Sequence, residues 1–211
     1  MGELKAFLKS RAVLNLCIVA ANVIVFFVLD IMGDTEDAVF MAYHGASFAP
    51  WVVENGEYYR LFTCMFLHFG IQHLFNNMLC LLFLGDLLEK LAGKWRYLVI
   101  YFAGGLGSSA ASVYYDLRTE NYAVSAGASG AIFAVIGALV FLAVINRGSI
   151  PSVSRRRLYL MAALSVFQGF SSQGVDNVAH VAGFILGFLL GAVLMGRQRV
   201  KQVPDLFEED R

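Results

Sequence analysis

Six long stretches of this chain contain no Asp, Glu, Lys or Arg, and they constrain its fold more than any other feature. They cover residues 12–29, 61–85, 97–115, 121–146, 158–175 and 177–196. A helix that crosses a bilayer needs about 20 mostly apolar residues, within a range of roughly 17–25. Each stretch can therefore hold one such helix, and none can hold two. The pattern predicts six membrane-spanning helices, at about 12–30, 71–91, 95–115, 127–146, 157–173 and 177–196.

The composition excludes several other classes of protein. Hydrophobic residues make up 58% of the 211 residues and charged residues only 15%, whereas soluble domains carry roughly 25% charged residues. So little charge could not cover the surface of a soluble globule, which argues against a cytosolic enzyme. The 16 basic residues equal the 16 acidic ones, so no net positive field would attract nucleic acid. We therefore expect an all-α polytopic membrane protein in contact with membrane lipid.

The positions of the basic residues predict the orientation of the helices. With six helices, 14 of the 16 Lys and Arg residues fall on one side of the membrane, and only Arg60 and Arg118 fall on the other. Basic residues mark the cytoplasmic side. The N-terminal segment 1–11 and the tail 197–211 are therefore both predicted to be cytoplasmic, flanking a membrane domain at 12–196. We expect the first helix to be retained, because its apolar stretch exceeds the roughly 7–15 residues of a signal-peptide core and no A-x-A site follows.

The connection 31–70 is much longer than the others and rich in aromatic residues. Loops of this length without structure are uncommon unless they are functional. Aromatic side chains favour the membrane interface, so we expect this loop to lie there, outside the second helix. Its aromatic residues include Phe40, Tyr43, Phe48, Trp51, Tyr58, Tyr59 and Phe62.

Ser129 lies between glycines at the predicted start of the fourth helix, in the sequence Gly127-Ala128-Ser129-Gly130. A serine here either caps or packs the helix, as is common in membrane helices, or acts as a nucleophile. For the second role, Gly127 and Gly130 would let a substrate backbone approach closely. Free N–H groups at the helix start would then face a developing oxyanion. The motif alone does not decide between these roles.

His180 is the candidate general base, because a nucleophilic serine needs one. It lies about one turn into the sixth helix, at the same outer end as the start of the fourth. Both helices carry small residues at four-residue spacing, and such stripes let two helices approach closely. The stripes are Gly183, Gly187 and Gly191 in the sixth helix and Gly130, Ala134 and Ala138 in the fourth. Pairing of the stripes would bring His180 to Ser129, whereas His180 alone could equally be a packing histidine.

His73 and Asn77 are four residues apart on the second helix and so share one face. Their ring N–H and amide N–H groups could both point at one oxyanion, or the pair could simply hold helices together. Asn76 is about 100° round the helix and is expected to face elsewhere. His68 is not on the face of His73.

Metal and aspartyl chemistry fit the sequence poorly. It contains no H-E-x-x-H motif, and Asn is a poor ligand for transition metals. Asp86 follows Phe83-Leu84-Gly85, which lacks the first glycine of a G-x-G-D motif, and no second intramembrane Asp is available. We therefore expect neither a metal nor a cofactor.

Asp176 is the one acid placed to complete a triad, because it precedes His180 by four residues. It also stands at the predicted start of the sixth helix, where Asp commonly caps free N–H groups. We favour the cap, because a capping carboxylate points at the backbone and not along the helix to a ring.

Taken together, these motifs resemble those of the rhomboid intramembrane serine proteases over about residues 55–195. The motifs are His73-x-x-x-Asn77, Gly127-Ala128-Ser129-Gly130, Ala179-His180-x-x-Gly183-x-x-x-Gly187, Tyr59-Arg60 and Gly85-x-x-x-Glu89. The resemblance implies a six-helix core with a Ser–His dyad, in which Ser129 attacks a peptide bond and His180 is the base. It also implies that His73, Asn77 and the Ser129 N–H assist the oxyanion. Tyr59 departs from the tryptophan usual in the family.

The function expected on these grounds is an intramembrane serine endopeptidase that cleaves transmembrane segments of other membrane proteins. Water must reach Ser129, so the site is expected to open to the extracytoplasmic side between helices 2, 4 and 6. A bacterial plasma membrane is the expected location. The alternatives are a catalytically inactive relative that only binds membrane proteins and, with less support, a small transporter.

Overall fold

The computed structural model describes residues 12–146 and 176–196, and these form a helical bundle with one small two-stranded ladder. The predicted helix 157–173, the segment 1–11 and the tail 197–211 lie outside the described residues. The helices are α1 Val13–Met32, α2 Ala38–Tyr43, α3 Ala49–Val53, α4 Arg60–Thr63, α5 Gly70–Cys80, α6 Asp86–Ala92, α7 Lys94–Thr119, α8 Ser129–Ile145 and α9 Asn177–Met195. The strands are β1 Ser47–Phe48 and β2 Val124–Ser125, and a 3₁₀ turn covers Cys64–Phe66.

Several of these helices suit a bilayer. Within residues 12–146 and 176–196, three are long and apolar enough to cross one: Val13–Met32, Gly70–Ala92 and Asn177–Met195. Helix α8 is apolar but has 17 residues, and α7 has 26 residues with a more polar sequence. The described part of the chain is therefore mostly helical and built largely of membrane-type helices.

Helix α8 forms the centre of the bundle. It is apolar on every side, and 13 of its 17 residues are buried. A helix that is hydrophobic all round belongs in a protein core or in a membrane. Helices α7 and α9 pack along α8, and residues of α1 and α5 complete the same core. The start of α8, where Ser129 lies, is thus held between several helices.

Helices α8 and α9 approach each other backbone to backbone. A Cβ at Gly183 would overlap the carbonyl oxygen of Gly130, and a Cβ at Gly187 would overlap that of Ala134. Further along, a Cβ at Gly191 would lie 3.3 Å from the Ala138 Cα. The glycines of α9 therefore face the small residues of α8 one for one, and this register sets the position of His180 relative to Ser129.

The helix predicted at 71–91 is present as Gly70–Ala92, but it contains a feature that the sequence does not predict. A π-helical turn at Leu81–Gly85 separates α5 from α6. The Asn15 amide donates to the Leu81 carbonyl oxygen at 2.8 Å, and Asn15 Oδ1 accepts from the Tyr97 hydroxyl at 2.7 Å. A Cβ at Gly85 would overlap Asn15 Oδ1, so the glycine makes room for this buried amide. The wider turn supplies a carbonyl to Asn15, an interaction that apolar periodicity does not reveal.

Two carboxylates of α6 accept hydrogen bonds from the backbone N–H groups at the start of α1. Glu89 accepts hydrogen bonds from the Asn15 N–H at 2.7 Å and the Leu14 N–H at 3.3 Å, and Asp86 accepts from the Ala12 N–H at 3.0 Å. The first N–H groups of a helix have no partner within that helix. Asp86 and Glu89 therefore join the ends of two helices, far from the Ser129 site.

The connection 31–70 contains three short helices, α2 to α4, held by a buried arginine. Arg60 is only 3% exposed and donates to the carbonyl oxygens of Ala42 at 2.5 Å and Ala46 at 2.9 Å. Its guanidinium also lies 4.7 Å from the centre of the Trp51 ring and pairs with Glu57. The hydrogen bond from Arg60 lowers the pKa of the Glu57 carboxyl below its ordinary value.

The expectation of an all-α protein omits the ladder between this loop and the segment before Ser129. Strands β1 and β2 are antiparallel, with Ser47 opposite Ser125 and Phe48 opposite Val124. Two-residue strands carry no alternation that a sequence reading could detect. The ladder joins the connection 31–70 to the segment that leads into α8.

Candidate active site

Ser129 and His180 are in direct contact. Ser129 begins α8, His180 lies in the first turn of α9, and His180 Nε2 is 2.8 Å from Ser129 Oγ. His180 is 4% exposed. A serine hydroxyl within hydrogen-bond distance of an imidazole nitrogen is the arrangement that nucleophilic catalysis requires.

The loop before Ser129 is held in an unusual backbone conformation. Gly127 has φ of 135°, which favours glycine, and its N–H donates to the Cys64 carbonyl oxygen at 2.9 Å. The next N–H, of Ala128, points at His68 Nε2 at 3.4 Å. Because the N–H groups that open a helix have no partner within it, those of Ser129 and Gly130 are available to an anion.

The His180 ring is fixed by stacking and not by an acid. It lies parallel to the Phe133 ring, with centroids 4.2 Å apart and an interplanar angle of 10°. Phe133 follows Ser129 by four residues and so lies on the same face of α8. His180 Nδ1 is buried and has no hydrogen-bond partner among the described residues.

Asp176 bonds to groups other than His180. Its Oδ1 accepts from the Ala179 N–H at 2.8 Å, which is the helix cap expected from the sequence. Its Oδ2 accepts from the Ser125 hydroxyl at 2.7 Å and from the Ser112 hydroxyl. The carboxylate therefore accepts hydrogen bonds from one backbone amide and two serine hydroxyls.

His73 lies against the loop that carries Ser129. A Cβ placed on Gly127 would be 2.8 Å from His73 Cε1, 3.0 Å from His73 Nε2 and 3.7 Å from Ser129 Oγ. The Phe69 N–H points at His73 Nδ1 at 3.3 Å. With Nδ1 as acceptor, the proton of a neutral ring is on Nε2, the nitrogen nearest the loop.

Asn77 also lines the site but is partly engaged. Its Nδ2 donates to the His73 carbonyl oxygen at 2.9 Å, one turn back on the same helix. An amide has two N–H groups, so one remains for another acceptor.

These residues surround a cavity of about 550 Å³. The walls come from α5, α7, α8 and α9 and from the segment 124–127. Helix α7 contributes Ser108 and Ser112, although the sequence reading placed the cavity between the second, fourth and sixth helices alone. Asn76 also lines the cavity, which corrects the expectation that it faces elsewhere. The cavity is wide enough to include side chains about 100° apart on α5.

Sequence reasoning missed two residues of this site. A five-residue spacing on a helix would place His68 off the face of His73, but α5 begins only at Gly70, so His68 is not on that helix. The His68 ring is fully buried and lies 5.1 Å from the His73 ring. Phe133 could have been found from its four-residue spacing to Ser129, a spacing that also fits an ordinary core residue.

No group of three or more His, Cys, Asp or Glu side chains in the described ranges 12–146 and 176–196 is placed to hold a metal ion. The absence of a metal and of a cofactor in the working protein stays a prediction.

Residues 55–197 match the Rhomboid domain family. The chain belongs to the rhomboid family, which confirms the resemblance seen in its motifs. The apolar helices and this membership together make it an integral membrane protein.

Two rhomboid proteases and a plant protein are among its relatives. Rhomboid protease GluP of Bacillus subtilis (strain 168) is 32% identical over 192 residues, 91% of this chain and 37% of GluP. RHOMBOID-like protein 5 of Arabidopsis thaliana is 39% identical over 148 residues, 69% of this chain and 47% of that protein. Rhomboid protease AarA of Providencia stuartii is 34% identical over 157 residues, 64% of this chain and 56% of AarA. The chain spans less than two thirds of the length of each of these relatives.

Proposed function

We propose that this protein is an intramembrane serine endopeptidase that cleaves transmembrane segments of other membrane proteins. The observation that carries the proposal is the 2.8 Å contact between Ser129 Oγ and His180 Nε2. It lies in a cavity of about 550 Å³ that has room for a peptide segment. The named rhomboid proteases among the relatives support the same reaction class.

In the proposed reaction, His180 Nε2 accepts the Ser129 hydroxyl proton as Oγ attacks the scissile carbonyl carbon. The carbonyl oxygen becomes negative, and the Ser129 N–H, the His73 Nε2–H and the free Asn77 N–H donate to it. His180 then passes its proton to the leaving amine, and the peptide bond breaks to give an acyl-serine. Water, deprotonated by His180, hydrolyses this ester and restores Ser129.

Two structural features support water access and ring orientation in this scheme. Polar side chains of α5, α7 and α9 line the cavity, and irregular backbone at membrane depth is tolerated where it lines water. Stacking on Phe133 holds the His180 ring with Nε2 toward Ser129. In the proposed scheme, this stacking supplies the ring orientation that a triad acid provides in soluble serine proteases.

We further propose the arrangement of the whole chain in the membrane. It has six spanning helices, including one at 157–173, with the segment 1–11 and the tail 197–211 in the cytoplasm. The cavity then opens to the extracytoplasmic side, beneath the connection 31–70. A bacterial plasma membrane is the proposed location, and the bacterial origin of GluP and AarA supports it.

Cleavage in proteoliposomes tests the proposed function. The purified protein, incubated with a panel of single-span membrane proteins, should cleave at least one of them within its transmembrane segment. Ser129→Ala and His180→Ala should each abolish cleavage without unfolding the protein. The double variant should be no worse, because nucleophile and base act as a unit. Binding without cleavage by the wild type would identify an inactive binding protein, and solute flux without cleavage would identify a transporter.

A further inference from the structure

A second contact joins the two elements that carry Ser129 and His180. Asp176 precedes His180 by four residues, and Ser125 precedes Ser129 by four. The Asp176 carboxylate accepts the Ser125 hydroxyl at 2.7 Å, just as His180 accepts the Ser129 hydroxyl at 2.8 Å. The two hydrogen bonds therefore connect the same pair of chain segments, one beside the other.

The same carboxylate is tied to a third element. Ser112 of α7 also donates to Asp176 Oδ2, and Ser112 is 6% exposed. The other oxygen, Oδ1, accepts the Ala179 N–H at 2.8 Å and so fixes the carboxylate to the start of α9. A carboxylate can accept several hydrogen bonds at once, and bonds to a charged acceptor are the stronger ones. Asp176 thus joins α7, the segment before α8 and α9 at one point.

The segment that contains Ser125 comprises β2 and the residues that follow it up to the start of α8, 124–128. Its other hydrogen bonds within the described part of the chain go to β1 and to the region of Cys64 and His68. These bonds hold the segment against the connection 31–70. Within residues 12–146 and 176–196, the Ser125–Asp176 hydrogen bond ties this segment to the start of α9, next to the Ser129–His180 contact, and the glycine stripe holds α8 against α9 further down.

We propose that Asp176 is a positioning residue, which holds the Ser129 segment against the His180 helix through its hydrogen bonds with Ser125 and Ser112. The proposal rests on the proposed function and deepens it. Asp176 acts through the backbone of two elements and touches neither the His180 ring nor the reacting atoms. Its hydrogen bonds, and not its charge, are what the dyad depends on.

The positioning role predicts different effects for the substitutions Ser125→Ala and Asp176→Asn. Ser125→Ala keeps the negative charge of Asp176 and its cap on α9 but removes the tie to the Ser129 segment. Asp176→Asn removes the charge, but an amide caps a helix nearly as well as a carboxylate and its N–H groups can donate to serine oxygens. A positioning residue therefore predicts loss in Ser125→Ala and near-normal behaviour in Asp176→Asn. A purely electrostatic role for Asp176 predicts the reverse.

The experiment measures how fast a small fluorophosphonate labels Ser129 in the purified protein in detergent. For Ser125→Ala we expect the limiting labelling rate kinact to fall about 10–100-fold, since misplacement on the order of 1 Å costs about 10²-fold. The half-saturating concentration should stay within about twofold, because the probe's binding is not the step that depends on alignment. Ser125→Thr, which restores the hydroxyl, should recover the wild-type rate, and Asp176→Asn should stay within about tenfold of it.

Thr119→Ala serves as the matched control. It removes a hydroxyl from α7 whose hydrogen bond among the described residues goes to the Tyr115 carbonyl of its own helix, and it leaves the Asp176 contacts intact. It should label like the wild type. In a double-mutant cycle, Ser125→Ala should add little to Asp176→Ala, because the two residues act through one bond.

The outcomes separate this inference from the function on which it rests. A folded wild type that is not labelled contradicts the proposed function and the positioning role together. A labelled wild type with an unchanged rate in Ser125→Ala contradicts the positioning role alone. A fall in melting temperature at an unchanged labelling rate per folded molecule would make Asp176 a purely structural residue and would also overturn the inference.

Discussion

A methyl group at position 183 should separate the two elements of the dyad. A Cβ on Gly183 would overlap the Gly130 carbonyl oxygen and also crowd the Gly130 carbonyl carbon at 3.1 Å. The obstacle is backbone and cannot rotate away, so α8 and α9 must move apart by on the order of 1 Å to restore ordinary van der Waals contact. Gly130 adjoins Ser129, and Gly183 is less than one turn from His180, so the displacement moves Ser129 away from His180.

The expected cost of Gly183→Ala follows from that displacement. Misplacement of about 1 Å lowers catalytic rates by about 10²-fold, and overpacking of a filled interior costs about 1–3 kcal/mol of stability. The assays are the rate of fluorophosphonate labelling and the melting temperature in detergent, measured on the same preparation.

Gly191→Ala provides the matched control on the same stripe. A Cβ there would lie 3.2 Å from the flexible end of Met195 and 3.3 Å from Ala138 Cα, so small adjustments can accommodate it. We expect labelling within a few-fold of the wild type, since ΔΔG for a tolerated packing change is small. Equal effects of Gly183→Ala and Gly191→Ala on the labelling rate would refute the reasoning from close helix approach.

Three further predictions concern the connection 31–70 and the proposed oxyanion donors. Arg60→Ala should lower the melting temperature substantially, because it leaves two buried carbonyl oxygens without their donor, and a buried polar group left unsatisfied costs about 1–3 kcal/mol. The contribution of Glu57 should vanish with acid: its folded-state pKa is depressed, so the stabilisation is present above the unfolded pKa and is lost as pH falls through the folded value. Melting temperatures of wild type and Glu57→Gln should therefore differ at pH 7 and converge as the pH falls below the carboxyl's folded pKa. Asn77→Ala should lower cleavage by less than the roughly 10²–10³-fold that one lost oxyanion donor costs in soluble enzymes, because His73 and the Ser129 N–H remain; activity and stability falling in proportion would instead favour a helix-holding role.

The sequence was sufficient to anticipate that Ser129 and His180 lie close together and that Asp176 caps the last helix. Ser129 and His180 could be paired from the two stripes of small residues, because a four-residue spacing on a helix translates directly into a contact face. The Asp176 cap could be expected from the general preference of Asp for helix starts. Each of these inferences uses a short-range rule that a linear sequence records.

The features that escaped prediction depend on contacts between distant segments. Ser112 and Ser125 lie 64 and 51 residues from Asp176, so no local pattern links them. The ladder between β1 and β2 joins residues far apart in the chain through two positions per strand, too few for a period to show. The position of His68 cannot be predicted from helical spacing, because His68 precedes the helix that carries His73.

The central claim is that Ser129 is a nucleophile activated by His180, and covalent labelling by a fluorophosphonate tests it most directly. An activated serine displaces fluoride and retains the phosphonyl group, whereas an ordinary packing serine does not react. Mass spectrometry of the labelled, digested wild type should place the adduct on Ser129, and His180→Ala and Ser129→Ala should both remain unlabelled while folded. A folded wild type without an adduct, or an adduct on Ser129 that forms equally fast in His180→Ala, would contradict the dyad.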